Sequence, residues 1–254
     1  MKFEKYFAGQ LRNDAYDALW SMVKDDKPEV AYAETIRRRV KGELADLCVD
    51  NYYIAYDENG CYNRLWSGWG KHKDAIGNFG HFLTLPEARG KGLGDRVLDV
   101  WASDILTRGD VPLGLFCTAE PAIIDRFYRQ YGFREIDPTK HGGYLYLPLG
   151  DSPETFTEFC EKYYQPSKTL IHKRGNLEYR HELDCLLRFA MSIIGKGDDF
   201  FLGEYEFVEE YLIFCPERVG MLFAEDGHCV GWSLDGNIVV HPLYKDSKII
   251  NKIY

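Results

Sequence analysis

The sequence predicts an α+β fold in which a mostly antiparallel sheet is flanked by helices. One observation is a hairpin signal, because an Asn-Gly pair within residues 57–60 separates two apolar runs, residues 51–56 and 61–69. The other is the stretch 79–105, whose pattern predicts a strand (79–85), then a glycine loop, then a helix. The three strands together form an antiparallel meander that leads into this helix.

The chain before the hairpin predicts one strand and two helices. Residues 2–8 are the candidate first strand. Asn13 or Asp14 can cap a helix that runs to about Lys24, since either side chain accepts hydrogen bonds from free amides at a helix start. A proline-containing break then separates it from a second helix, predicted over residues 29–47.

The strand at 79–85 ends at Pro86, because proline has no N–H to donate to a ladder. The helix that follows the glycine loop is predicted from apolar residues at helical spacing, namely Leu93, Val97, Leu98, Val100, Trp101 and Ile105.

A second strand and helix follow at once. Residues 113–118 predict a buried strand, Pro121 suits the first turn of a helix, and Gly132 is a typical helix stop. Two further strands are expected at 134–137 and 144–149, joined through the loop at 140–143.

A boundary is predicted at residues 150–153, where a new helix is expected with Ser152 as its cap and Pro153 in its first turn. Beyond it we predict a helix over 178–194 that stops at the glycines of 195–197. Strands are expected at 205–215, 219–224 and 229–234, with Asp-Gly turns at 226–227 and 235–236 and a last strand after the second turn.

Composition narrows the class of function. The formal charge of -9 disfavours a general nucleic-acid backbone binder, and mildly favours a cationic acceptor or partner. No run of 18 apolar residues predicts a membrane span, and the first residues lack the apolar core of a signal peptide. The seven cysteines are scattered without a C-x-x-C pair, which indicates reduced thiols. We therefore expect a cytoplasmic protein.

The glycine loop predicts a phosphate site. Gly90, Gly92 and Gly94 alternate with other residues just before a helix start, where main-chain N–H groups and the helix dipole favour an anion. A P-loop would need Ser or Thr after its Gly-Lys pair, and a Rossmann loop needs G-x-G-x-x-G, so both matches are weak.

Two motifs resemble the GNAT (GCN5-related N-acetyltransferase) superfamily. Arg89, Gly92 and Gly94 match R-x-x-G-x-G, the coenzyme A pyrophosphate loop of that family. Residues 127–133, F-Y-x-x-Y-G-F, resemble its later tyrosine-bearing helix. The resemblance covers residues 1–149 and implies an α/β/α-type fold with a mixed, mostly antiparallel central sheet.

Residues 150–254 predict a smaller α+β domain. The piece 238–249 can be laid over 82–93 as a degenerate partial repeat of the GNAT strands, and a chance match remains the alternative. The glycines of the loop become Asp246 and Lys248 there, so we expect no second cofactor site. This half is expected to pack on the first domain, to cap the acceptor pocket, or to form a homodimer contact.

The resemblance also implies site residues. The acetyl-CoA residues it implies are Leu83, Thr84, Leu85, Arg89, Gly90, Lys91, Gly92, Leu93 and Gly94.

Tyr128 stands where GNAT tyrosines protonate the departing thiolate, with Tyr131 as the second choice and core packing as the alternative. His81 is the candidate base, although a structural histidine is the simpler interpretation. Glu87, Glu120 or an ordered water are the other candidates for this role.

The predicted function is acetyl-CoA-dependent N-acetyl transfer to a primary amine, of a small molecule or a peptide, by direct attack in a ternary complex. The alternative from another class is an acetyl-CoA sensor without turnover, and a nucleotide oxidoreductase is a remote third. No nucleic acid or membrane partner is expected. We also expect no metal, since His181-Glu182-x-x-Cys185 lacks the histidine pair of a zinc motif.

Overall fold

The computed structural model describes residues 1–11, 13–26, 30–137, 139, 142–193, 208 and 210–251. It confirms the predicted α+β class, with two sheets and helices packed against them. The first sheet contains β1 (Lys2–Phe7), β2 (Cys48–Asp57), β3 (Gly60–Gly70), β4 (Gly77–Thr84), β5 (Gly114–Ala119), β6 (Arg134–Glu135) and β7 (Gly143–Pro148).

The strands of this sheet lie in the order β1-β2-β3-β4-β5-β7-β6. The meander β2-β3-β4 is antiparallel as predicted, and the pair β4 and β5 is the one parallel contact recorded in this sheet. The predicted strand at 134–137 is shorter, because only Arg134 and Glu135 pair with β7. Of the loop predicted at 140–143, residues 142 and 143 are described, and Gly143 already begins β7.

Helices cover both faces of the first sheet. The helices of the first half are α1 (Asn13–Asp26), α2 (Val30–Val40), α3 (Leu93–Ile105) and α4 (Pro121–Ile123). Helix α4 continues as a π-helical turn (Ile124–Tyr128) and a 3-10 turn (Arg129–Tyr131). It stops at Gly132, whose φ of 95° is the left-handed conformation expected of a helix stop.

One apolar cluster, around Trp101, joins α3 and the α4 segment to one face of the sheet. A second cluster, around Trp66, joins α1 and α2 to the opposite face. Helix α2 ends at Val40, although helix was predicted to 47. The reason is Gly42, where φ is 76° and a Cβ would lie 2.7 Å from the Cα of Gly9, so the backbone turns to pack on the end of β1.

The second sheet has the order β11-β10-β9-β8-β12. Its strands are β8 (Thr169–Arg174), β9 (Val219–Phe223), β10 (Cys229–Leu234), β11 (Asn237–Val240) and β12 (Lys248–Asn251). The strands at 219–224 and 229–234 and the strand after the second Asp-Gly turn agree with prediction, whereas β8 and β12 were not predicted.

The helices of the C-terminal half differ in detail from those predicted. Helix α5 (Phe156–Tyr163) begins later than expected, because Thr155 and not Ser152 caps it, accepting a hydrogen bond from the Glu158 N–H. The helix predicted over 178–194 is a 3-10 turn, a π-helical turn (Glu182–Leu187) and then α6 (Arg188–Ile193).

The strand predicted at 205–215 is wrong for the residues described there. Residues 208 and 210–214 are helical. Val208 and Leu212, four positions apart, are both buried in one cluster, which is helical and not strand spacing. The glycines of 195–197 lie outside the described residues.

The two halves share an apolar core. Phe116 and Tyr146 of the first sheet pack in one cluster with Phe159 of α5 and Phe189 of α6. The Phe116 ring lies 5.9 Å from that of Phe159 and 5.8 Å from that of Phe189, centroid to centroid. The C-terminal half thus covers the face of β5 and β7 beside α1 and α2.

The strand order of the second half parallels that of the first. β8-β9-β10-β11 are neighbours in sequence order, as are β1-β2-β3-β4, and each series is antiparallel. Each last strand leads into a 3-10 turn that starts at a proline, Pro86 or Pro242. After Pro242 the chain forms β12 beside β8, in place of a glycine loop and helix. This arrangement supports the partial repeat, which we retain as a proposal.

All seven cysteines are free thiols, as their spacing predicted. Among the described residues, no helix combines the length and apolar character needed to cross a membrane.

Candidate active site

Strand β4 separates from β5 after only two residue pairs. Gly77 pairs with Leu115 and Asn78 pairs with Phe116, whereas residues 79–84 have no partner in β5. The side of β4 that faces β5 is therefore an open edge. An extended ligand can add to such an edge through main-chain hydrogen bonds.

A β-bulge lies in β4 where the two strands separate. His81 and Phe82 together oppose the single residue Leu65 of β3, and His81 takes a left-handed φ of 55°. Positive φ is uncommon outside glycine, and bulges are over-represented next to active sites. Because of the bulge, Phe79 and Phe82 both contact the ring of Tyr128 although they are three positions apart.

The glycine loop ends beside this edge. Gly90 and Gly92 have φ values of 74° and 69°, and no atom lies within 4 Å of where a Cβ would stand on either residue. Gly92 is also the residue that starts α3. A Cβ at Gly94 would lie 3.1 Å from the Phe82 ring, so this glycine allows close packing. The first two glycines leave an open, side-chain-free surface at a helix start, which suits a phosphate.

Arg89 connects this loop to the end of β4. Its Nε donates a hydrogen bond to the Thr84 carbonyl oxygen at 3.2 Å, and the rest of the side chain is exposed. Lys91 is exposed beside it. The loop therefore carries two cations next to the side-chain-free surface.

A cleft of about 480 Å³ runs from the glycine loop along the open edge of β4. The predicted cofactor residues that line it are Leu83, Thr84, Arg89, Gly90, Gly92, Leu93 and Gly94. Leu85 and Lys91 are not part of this lining. The Leu85 N–H donates to the Tyr62 carbonyl oxygen at 3.0 Å, so it is already paired with β3.

The opposite wall of the cleft comes from the α4 segment, through Ala122, Ile123, Arg126 and Phe127. The Arg126 guanidinium lies 4.8 Å from the centre of the Phe127 ring and is exposed. Neither sequence motif marked this arginine, and its place two residues before Tyr128 was the available signal.

A second cavity, of about 400 Å³, continues from the first. The two share Phe82 and Leu83 in their linings. The second cavity reaches Tyr128 and His81 and also Asp184 and Arg188 of the C-terminal half. A ligand bound in the first cavity and a ligand bound in the second could therefore meet near the bulge of β4.

Tyr128 is both a core residue and a cavity residue. Only 5% of it is exposed, and its ring stands edge-on to that of Phe79 at 5.1 Å. Burial raises the pKa of its phenol above the usual value, and Cys117 nearby adds to the effect. A phenol in this state stays protonated at neutral pH, so it can donate its O–H to a thiolate as the thiolate forms.

His81 lines the same cavity from the bulge. Its ring packs against the edge of Trp66, with the ring centres 5.2 Å apart. Its carbonyl oxygen accepts a hydrogen bond from the Nε of the buried Arg64 at 3.1 Å, which holds the bulge in place. The position fits a proton acceptor, and the role of His81 as base stays a prediction.

Three other candidates lie elsewhere. Tyr131 donates its hydroxyl to Asp99 at 2.7 Å and lines neither cavity. Glu87 and Glu120 are exposed and line neither cavity.

A polar cluster joins β4 to the C-terminal half at the far end of the second cavity. The Asn78 Oδ1 lies 2.6 Å from the His181 Nδ1 and 2.7 Å from the Cys185 Sγ. Burial lowers the pKa of His181 well below its usual value, so the neutral ring donates from Nδ1. The Asn78 Nδ2 donates to the Asp184 Oδ2 at 3.2 Å. No sequence signal marked these residues as neighbours, because more than a hundred positions separate Asn78 from the others.

One protein-family model matches the chain. The family model for the acetyltransferase (GNAT) domain matches residues 25–135. This match confirms the family resemblance inferred from the two motifs. No curated protein matches the chain.

Solved structures that match part of the chain include an acyl-CoA N-acyltransferase from Pseudomonas aeruginosa, at 14% identity and a TM-score of 0.41 over 58% of this chain and 99% of that one. The NatC complex bound to Gag peptide and CoA matches at 14% identity and a TM-score of 0.42, over 59% of this chain and 100% of that one. Escherichia coli ElaA matches at 11% identity and a TM-score of 0.40, over 58% of this chain and 99% of that one.

Proposed function

We propose that this chain, a member of the GNAT superfamily, is an acetyl-CoA-dependent N-acetyltransferase that acts on a primary amine. The observation that carries the proposal is the separation of β4 from β5 after Asn78. The resulting open edge runs from the glycine loop to Tyr128, and the two cavities along it meet at Phe82 and Leu83. One cavity suits the cofactor and the other suits the acceptor.

The cofactor would lie in the cleft of about 480 Å³. Main-chain N–H groups of Gly90 and Gly92, with the start of α3, would hold its pyrophosphate. Arg89 would add a charged hydrogen bond. The main chain of Leu83 and Thr84 would pair with the pantetheine arm as an added strand.

The reaction would be direct attack in a ternary complex. The neutral amine nitrogen bonds to the thioester carbonyl carbon, the carbon–sulfur bond breaks, and the sulfur leaves as a thiolate. Tyr128, which burial keeps protonated, would donate its O–H to that sulfur, and a proton from solvent would restore the phenol after the thiol leaves. The main chain at the bulge of β4 would orient the carbonyl group.

The acceptor amine must lose a proton during the reaction. His81 lines the acceptor cavity and is the proposed base, and it would pass the proton to solvent. An ordered water is the other way to carry this proton.

Calorimetry with acetyl-CoA, CoA and NAD, followed by thiol release in the presence of an amine panel, tests the function. We expect acetyl-CoA and CoA to bind, NAD not to bind, and free CoA to accumulate only with an acceptor. Binding without turnover on any amine would favour the sensor. Failure of every CoA thioester to bind would overturn the proposal.

A further inference from the structure

The acceptor cavity contains a charged pair supplied by the C-terminal half. Arg188 Nη1 donates to Asp184 Oδ1 at 3.1 Å, one helical turn apart. The side chains are 19% and 16% exposed, so both are largely removed from solvent. Both residues line the cavity of about 400 Å³ that also contains Tyr128 and His81.

Neighbouring contacts fix each member of this pair. The Asn78 Nδ2 holds the Asp184 Oδ2 at 3.2 Å, which ties the carboxylate to β4. The Arg188 guanidinium lies 5.6 Å from the centre of the Tyr144 ring, and that ring stacks on Phe189 at 4.2 Å. The pair is therefore preorganised, as a binding site for a small ligand requires.

Arg188 has hydrogen-bonding capacity left over. Its Nε is buried and makes no hydrogen bond within the part of the chain that the structure describes. A buried charged N–H without an acceptor is costly. A carboxylate is the group that matches a guanidinium best, because two oxygens can meet two N–H groups. Arg188 lines the cavity and its side chain is 19% exposed, so an anionic group on a ligand there can meet the guanidinium.

We infer that the acceptor is a small amine that also carries a carboxylate, such as a free amino acid. The inference rests on the proposed function and names its substrate class. The ligand carboxylate binds Arg188, and Asp184 attracts the ammonium group before it loses its proton. Trp66 and Phe189 give the rest of the cavity an apolar surface for a side chain.

An amino-acid acceptor differs from the cationic acceptor that the net charge of the whole chain favours. The overall charge of -9 mildly favours a cationic acceptor. At the cavity, Asp184 is the one carboxylate among the described lining residues, whereas Arg64 and Arg188 both line it. A polyamine would place a second cation against these arginines. Local charge decides binding here, because charges far away are screened by salt.

The test compares three acceptors that share one skeleton: phenylalanine, phenylalaninamide and phenethylamine. Matched sets built on smaller amino acids, and spermidine as a cationic acceptor, complete the panel. Thiol release gives kcat/KM for each. We expect the amino acid of at least one set to exceed its amide and its decarboxylated amine by roughly thirtyfold or more, because the site is built around a charge that the analogues lack.

Arg188→Met should remove this preference. The kcat/KM of the amino acid should fall by roughly thirtyfold or more, while that of the decarboxylated amine changes less than about threefold. Arg134→Met is the matched control, since Arg134 is exposed and pairs with Glu154 away from the cavity. If Arg188→Met does not fold, Arg188→Lys keeps the charge without the paired N–H groups and should lose part of the preference.

The outcomes separate this inference from the proposed function. If acetyl-CoA binds but the amides, the amines or spermidine react as well as the amino acids, the inference is wrong and the proposed function stands. The same holds if Arg188→Met keeps the preference. If acetyl-CoA does not bind at all, the proposed function fails and the inference fails with it. Calorimetry with amino acid and amide in the presence of CoA gives the same comparison without turnover.

Discussion

The ring of Tyr128 stands edge-on to the ring of Phe79, with their centres 5.1 Å apart. Phe79 lies in β4 directly after the last residue that pairs with β5. The contact therefore fixes the phenol beside the point where the sheet opens. If Tyr128 served only as a packing residue, loss of its hydroxyl group would leave its contribution to the stability of the fold unchanged.

Tyr128→Phe should lower kcat roughly a hundredfold or more, because the thiolate would lose its proton donor. The affinity for acetyl-CoA and the melting temperature should change little, since the ring contacts remain. Tyr131→Phe is the matched control on the same segment, as its hydroxyl is bound to Asp99 and not to the cavity. Equal rates in the parent protein and Tyr128→Phe would show that Tyr128 is a packing residue only.

Gly92→Ala should weaken acetyl-CoA binding by about tenfold or more, because a side chain would disturb main-chain donors to a charged group. It should also cost about 1–2 kcal/mol in stability, since alanine is strained at a φ of 69°. Gly227→Ala has a similar strain, with a φ of 94°, but lies in a turn of the second sheet. Urea unfolding and calorimetry on both variants separate the two effects, and equal losses of affinity would contradict the phosphate site.

Arg89→Ala should raise the Kd of acetyl-CoA roughly tenfold to a hundredfold, which corresponds to a charged hydrogen bond of about 1.5–3 kcal/mol. The effect should shrink as salt is added, because Arg89 is exposed. Arg134→Ala serves as the control, being an exposed arginine whose partner is Glu154. A salt-independent loss of the same size in both variants would contradict a direct role for Arg89.

His241→Asn should make stability less sensitive to acid. Burial lowers the pKa of His241 to about 4, from an ordinary value of 6.5, so between these values the unfolded chain binds a proton that the folded chain does not. The contribution of the neutral His241 ring to the free energy of unfolding is therefore fully present above pH 6.5 and is lost as pH falls toward 4. Asparagine can still accept the hydrogen bond from the Leu243 N–H.

We expect the parent protein to lose more stability than His241→Asn between pH 7 and pH 5, by on the order of 1 kcal/mol, because the partly exposed ring is screened by solvent. Urea unfolding at a series of pH values measures this difference. Parallel curves for the two proteins would show that His241 does not titrate in this range.

Thr155→Ala should destabilise the protein by about 1 kcal/mol, the usual cost of losing a helix cap. The Thr155 hydroxyl accepts from the Glu158 N–H at 3.3 Å and donates to the Glu158 carboxylate at 2.7 Å. Ser152→Ala, at the cap that the sequence predicted, should cost less than half as much. Thermal unfolding of both variants decides between the two starts of α5.

Much of the first half was predictable because its signals are local. The glycine loop and the spacing of Val97, Trp101 and Ile105 predicted α3 with its observed bounds. The left-handed φ of Gly132 was likewise expected from its place at a helix end. Such features depend on residues that are close in the chain, so a single sequence contains them.

The errors arose where a local signal was outweighed. Val208, Tyr211 and Ile213 are β-branched or aromatic and favour a strand, yet the described part of that segment is helical because burial of one face decides the structure. Ser152 is also a suitable cap residue, but helix α5 begins after Thr155, whose hydroxyl accepts a hydrogen bond from the Glu158 N–H.

The part of the acceptor cavity that the C-terminal half supplies could not be predicted, because it depends on the packing of two distant segments. Asn78 and Asp184 are 106 positions apart and become neighbours only when the C-terminal half docks on β4 and β5. The separation of β4 from β5 is of the same kind, since it depends on the twist of the whole sheet and not on either strand alone.

The shared core beneath β5 and β7 has a consequence for how this chain can evolve. Phe116 and Tyr146 are covered by Phe159 and Phe189, and Phe189 also borders the chamber where the amine would react. A fragment that ended at residue 149 would leave these rings in water and would tend to self-associate. On the proposed function, a substitution at Phe189 would affect both the stability of the fold and the choice of substrate, so a new specificity would have to arise through substitutions that keep the packing of these four rings.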